Sequence, residues 1–272
     1  MNYSAAAAGM ETSVRGRSTA SARDRRFYLS MAIASAAGIF LGFARTFYLK
    51  TYFGTPALPL VFHLHGAVFT SWILFFVAQA ALIADGRVQV HRRLGYAGAF
   101  LAGAVVILGV TAAFWMAKVG HFHSIPFAHD PESACMFALV DMLQFAVFIG
   151  AGFYFRRNRE VHQRTMLMAT VCALLPSGLG RFAFAIHPAL PVILIYTFVL
   201  AGPVYDLVTR RRVHRAYVLG LLFFLLLSPP VRIFFGMTPA WHRIVHWLSD
   251  RRSRSPLPAC DVSVHERAGS LW

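Results

Sequence analysis

The sequence is poor in charge. Only 14% of its 272 residues are Asp, Glu, Lys or Arg, against about 25% in an ordinary soluble domain. Acid is the scarcer sign, with 11 Asp and Glu against 26 Lys and Arg, and the formal net charge is +15. A large soluble core does not need so deep a deficit, which argues against a water-soluble globule. Cysteine is also scarce. Cys135, Cys172 and Cys260 lie far apart and form no C-x-x-C, so neither a disulfide framework nor a cysteine zinc site is supported. Missing too are G-x-x-x-x-G-K-[ST], a G-x-G-x-x-G in strand context, and H-E-x-x-H. No hydrolase triad can be assembled.

What the chain does contain is apolar length. Hydrophobic residues make up 57%, with 25 Phe and 5 Trp. Seven apolar segments stand out, over residues 27–49, 59–84, 94–117, 134–156, 165–185, 188–208 and 216–236. At about 1.5 Å per residue, each can cross a hydrocarbon core of about 30 Å. In lipid the backbone must satisfy its own hydrogen bonds, which favours helices, and the alternating ten-residue strands of a membrane barrel are not seen. The expected fold is an all-α integral membrane bundle of about seven transmembrane helices over residues 27–236. A disordered basic tail is expected over residues 1–26. The stretch 27–49 exceeds the apolar core of about 7–15 residues in a signal peptide, so it reads as a retained helix. Over residues 237–272 a C-terminal tail is expected. Trp241, Ile244, Val245 and Leu248 recur in it at helical spacing, the pattern of an interfacial amphipathic helix.

The basic residues are asymmetric. Arg15, Arg17, Arg23, Arg25 and Arg26 precede the first segment. Arg87, Arg92 and Arg93 follow the second, Arg156, Arg157, Arg159 and Arg164 the fourth, and Arg210, Arg211, Arg212 and Arg215 the sixth. These four clusters fall on one side of a seven-helix bundle, whereas the opposite loops carry Lys50 and Lys118. By the positive-inside rule that side is cytoplasmic, which predicts a bacterial inner-membrane protein with a cytoplasmic N-terminus. The same placement argues against nucleic acid as the partner, because a nucleic-acid module spreads its charge over a soluble face.

Ionisable groups inside apolar spans carry the functional expectations. From the rise per residue, His63 and His65 lie about 6–9 Å below the outer surface, Asp141 about 10 Å, Arg181 and Arg232 about 6 Å, and Arg45 about 3 Å. Arg45, Arg181 and Arg232 can reach the headgroups by snorkelling. Asp141 is too short for that, so it is expected to pair with Arg181 or His65. Gln144 shares its helix face, and His65, Trp72 and Gln79 form a stripe on the second helix. Pro176-Ser-Gly-Leu-Gly180 is expected to interrupt the fifth span, and Pro229-Pro230 the seventh.

His91 and His162 open the third and fifth helices at the opposite face. Neutral imidazole is a good iron ligand, and histidines on two helices at one depth can clamp a b-type haem, with Arg93 and Arg164 near its propionates. The alternative is that both are ordinary interfacial histidines. In the outer loop, His121, His123 and His129 stand with Asp130 and Glu132, either as a metal site or as an exposed polar loop.

The run His63-Leu-His65-Gly66, then Trp72, Gln79, Gly86-Arg87 and His91-Arg-Arg-Leu-Gly95, resembles a bacterial family of multi-pass membrane proteins. His162-Gln-Arg-Thr-Met166 is similar to that family's second histidine signature. The resemblance covers roughly residues 59–185 and implies a membrane topology without an activity. The H-R-x-x-G feature also resembles membrane b-type cytochromes and haem A synthases, although the chain lacks their clear histidine pair across the second and fourth helices.

Three functions stay open at this point. One is a redox-type protein that holds haem or a quinone through His91 and His162, or through His63 and His65. Another is a transporter or sensor that takes a small-molecule ligand at His65, Asp141 and Arg181. The last is a membrane scaffold or assembly factor.

Overall fold

A computed structural model describes residues 3–55, 57–120, 130–184 and 186–251; for residues 3–21, 184 and 249–251 it describes the backbone alone. Among the described residues the structure is helical, without strands: α1 (Tyr3–Phe43), α2 (Leu60–Ala84), α3 (Val88–Val119), α4 (Pro131–Tyr154), α5 (Arg159–Met168), α6 (Leu175–Phe184), α7 (Leu190–Arg210), α8 (Arg215–Leu226), α9 (Pro229–Gly236) and α10 (Pro239–Arg251). Seven stretches are long and apolar enough to cross a membrane: Ala22–Tyr48, Leu60–Ala84, Val88–Val119, Pro131–Tyr154, Arg159–Ala183, Leu190–Arg210 and Arg215–Gly236. They correspond one for one to the segments read from the sequence. The expected disordered tail differs, since α1 continues N-terminally as far as Tyr3. The run Ala5–Ala8 belongs to this extension, and alanine is the strongest helix former.

The outward faces are apolar. Phe100 is 83% exposed, Ile107 67% and Leu222 65%, surface that only a lipid solvent accommodates at this density. Inside, the fifth span forms the axis of the bundle. Of its most apolar stretch 72% is buried, against 17–50% for the other six. Its middle widens into a π-helical turn, Ala169–Leu174, all six residues of which are buried. The sequence reading put the interruption at Pro176–Gly180, one turn later. Proline has no amide hydrogen and its ring crowds the carbonyl four residues back, so the preceding turn opens instead. Ser177 then donates from Oγ to the Leu174 carbonyl at 2.8 Å.

α1 crosses α6 closely. A Cβ at Gly42 would strike the Gly178 backbone, and one at Gly38 would meet Leu175 and Leu179. Gly38 and Gly42 are four residues apart, the small-residue spacing that lets membrane helices approach backbone to backbone. α1 ends in a second π-helical segment, Ala44–Tyr48.

The seventh span breaks where expected. α8 stops at Leu226, Ser228 stands at the N-terminal boundary of α9, and Pro229 and Pro230 open it. α10 follows at the same end and covers the expected interfacial helix. It does more than lie on the surface: Val245 is buried, and the Trp241 indole donates to the Glu132 carbonyl at 2.8 Å. Asp130 caps α4, accepting from the Ser133 amide at 2.7 Å and its hydroxyl at 2.8 Å. Burial acts to raise the Asp130 carboxyl, but the Ser133 donors and nearby His242 outweigh it and hold the group below its usual range. Asp130 and Glu132 of the histidine-rich loop are thus occupied in capping and docking, while His121, His123 and His129 lie outside the described residues.

Candidate functional site

The arginine-rich end is organised around a buried ion pair. Arg164 on α5 and Asp206 on α7 both have side chains 0% exposed. The guanidinium donates from Nε to Oδ2 at 2.9 Å and from Nη2 to Oδ1 at 2.7 Å. This planar bidentate fork is the geometry that favours arginine over lysine. Its remaining Nη1 donates to the Glu160 carboxylate and to the Glu160 carbonyl, and its charge lies over the Tyr217 ring at 5.5 Å. Arg210 extends the network, bonding Glu160 and, at 2.7 Å, Asp24. Asp24 also accepts from the Tyr205 hydroxyl at 2.8 Å. Five charged side chains thereby tie α1, α5 and α7 together. The His214 amide donates to Asp206 at 3.3 Å, which brings in the start of α8. Burial and the Arg164 charge push the His214 imidazole below its ordinary value, and its Nδ1 accepts from the Ala216 amide at 3.1 Å.

This network was not read from the sequence. Asp206 sits inside an apolar run, and Arg164 was expected near haem propionates. The structure corrects that placement, because Arg164 is sealed beneath Asp206 and Glu160 with its donors committed. One signal was available: Asp206 is a carboxylate within an apolar span, which is costly unless paired.

Beside the network, α3 and α5 bring His91 and His162 together. Their ring centres are 6.2 Å apart and their planes 76° from parallel. Nδ1 of His162 donates to the Gly152 carbonyl at 2.8 Å, which leaves Nε2 with a free lone pair. His91 lies against the Gln79 backbone, and its Nδ1 is buried with no hydrogen-bond partner among the described residues. The side-chain amide of Gln79 is likewise buried without a partner among the described residues, as are Trp72 Nε1 and His65 Nδ1 earlier on α2. The expected stripe on that helix is therefore a line of unsatisfied polar atoms.

The outer polar layer is divided. Asp141 pairs with Arg232 at 2.6 Å, and not with Arg181 or His65 as the sequence reading expected. Arg232, 7% exposed, is buried rather than snorkelling. It donates to Gln144 Oε1 at 2.9 Å and from Nε to the Leu227 carbonyl at 2.6 Å. That carbonyl is left free where Pro229 and Pro230 break the seventh span, so the arginine repairs the break and pins α9 to α4. The expected pairing differs because α6 and α9 each carry an arginine at similar depth, and depth alone does not say which faces α4. Arg181 lies over the Phe43 ring at 4.7 Å, and His65 stacks on Phe69 at 4.0 Å. Arg45 is exposed, 5.9 Å from the Phe53 ring centre. His63 is exposed beside Phe47.

Among the described residues, no group of three or more His, Cys, Asp or Glu could hold a metal ion. Comparison with known protein families, with curated proteins and with solved structures found no match to this chain.

Proposed function

We propose that this multi-pass membrane protein is a redox protein of the bacterial inner membrane that holds a b-type haem between α3 and α5, with His91 and His162 as axial ligands. The observation that carries this reading is the pair of imidazoles that α3 and α5 bring to 6.2 Å, with ring planes 76° apart. Neutral imidazoles from two helices are a donor set that iron takes. A bare zinc or copper ion asks for three or four protein ligands, and only two are gathered here. Haem supplies four ring nitrogens of its own and needs only axial ligands. The Gly152 carbonyl fixes the His162 tautomer and orients its ring, the second-shell arrangement usual for metal-bound histidine. Arg93, exposed in the second turn of α3, is left for the propionates.

When bound, the group supplies one-electron chemistry at iron. His91 and His162 would both hold the group, and iron held by two protein ligands would serve electron transfer rather than oxygen binding. Purified protein, expressed with ample haem, should show a Soret band. His91→Ala and His162→Ala should each abolish it, and His63→Ala, at the other end of the bundle, should leave it intact. A haem-free wild-type protein, or one that co-purifies with quinone and shows no Soret band, ends the haem reading.

The orientation proposed with it is a cytoplasmic N-terminus, supported by the arginine clusters at one end. Reporter fusions at Gly86, Asn158 and Val213 should all give a cytoplasmic signal. A periplasmic signal at Asn158 would invert or break that topology.

A further inference from the structure

The arginine-rich end also contains a cavity of about 900 Å³ between Arg23 and Asp24 in the middle of α1 and the junctions around α5, α7 and α8. Six arginines line it, together with two carboxylates, Asp24 and Glu160. The carboxylates are already occupied: Glu160 by Arg164 and Arg210, Asp24 by Arg210 and Tyr205. Arg159, Arg212 and Arg215 are exposed and form no ion pair among the described residues. Arg159 and Arg215 are also the first residues of α5 and α8, so two positive helix ends add to the field there. The cavity therefore keeps a strong positive potential after its internal pairs are counted. Its volume lies in the range of ligand pockets, about 300–1,000 Å³.

We propose that this cavity binds a phosphate-bearing ligand through Arg159, Arg212 and Arg215. Guanidinium forks match phosphate oxygens in pairs, and the paired Arg164 and Arg210 beneath them hold the floor rigid. The position, at the end of the spans, is open both to a soluble phosphorylated compound and to the headgroup of an anionic phospholipid. The shared chemistry is the phosphate. This site is independent of the histidine pair, and its test does not depend on haem.

The full chain in detergent would be titrated with inorganic pyrophosphate by calorimetry. In parallel, the chain in nanodiscs of mixed phosphatidylglycerol and phosphatidylcholine would be released into native mass spectrometry. Saturable pyrophosphate binding that weakens as salt rises supports the site and names a soluble ligand. Selective retention of phosphatidylglycerol without pyrophosphate binding supports it and names a lipid headgroup. Arg212→Gln with Arg215→Gln should weaken whichever binding is found by about tenfold or more, with the ligand-free melting temperature unchanged. Should that variant fail to fold, Arg212→Lys with Arg215→Lys keeps the charge, loses the forks and should still weaken binding. Binding of neither probe overturns the proposal, as does wild-type affinity in the folded double variant.

Discussion

Asp206→Asn is expected to destabilise the protein by about 3–5 kcal/mol, the usual cost of stranding one member of a buried ion pair. Both side chains of the Arg164–Asp206 pair are 0% exposed, so water cannot replace the lost partner. The amide keeps the shape of the carboxylate but removes the charge facing Arg164 Nε and Nη2. Glu160, 42% exposed, remains as a partial and screened counter-ion. It keeps the loss finite. Replacing both members, Arg164→Met with Asp206→Leu, should recover much of the stability, because the charge and its desolvation disappear together. Denaturation of the wild type, Arg164→Met, Asp206→Leu and the double variant in one detergent gives the coupling directly. If the two changes prove additive, the pair is not coupled and the network does not hold the helices.

Asp141→Asn should cost less, in the lower part of that range of about 3–5 kcal/mol or below it. Its side chain is 15% exposed and that of Arg232 8%, and Arg232 keeps the Gln144 and Leu227 oxygens after the change. The informative result is which second change restores stability. Arg232→Gln added to Asp141→Asn should recover part of the loss, whereas Arg181→Gln should add its own effect independently. Recovery with Arg181→Gln instead would mean that α6, not α9, faces α4 at this depth. Arg232→Gln alone should be the more damaging single change. It strands Asp141 and also frees the carbonyl at the break in the seventh span, where lipid supplies no hydrogen-bond donor.

These two pairs mark the limit of what could be read along the chain. The sequence by itself determined the seven spans, the concentration of arginine at one end and the proline break of the seventh span. All follow from local terms: a bilayer demands about 20 apolar residues per crossing, and proline removes its own hydrogen bond wherever it stands. It also singled out His91 and His162, because an H-x-R pattern at two helix starts is a local signal. Only the tertiary structure decided partners. Arg232 rather than Arg181 meets Asp141, Arg164 is sealed under Asp206, and the fifth span is the buried axis with its widened turn ahead of Pro176. A pairing depends on how each helix is rotated and which neighbour it meets. Lipid-facing and core-facing surfaces of these helices are equally apolar, so hydrophobic pattern leaves that rotation undetermined. It is set by the sparse polar groups that must find one another out of water, and by small residues such as Gly42 and Gly178 that let two backbones touch.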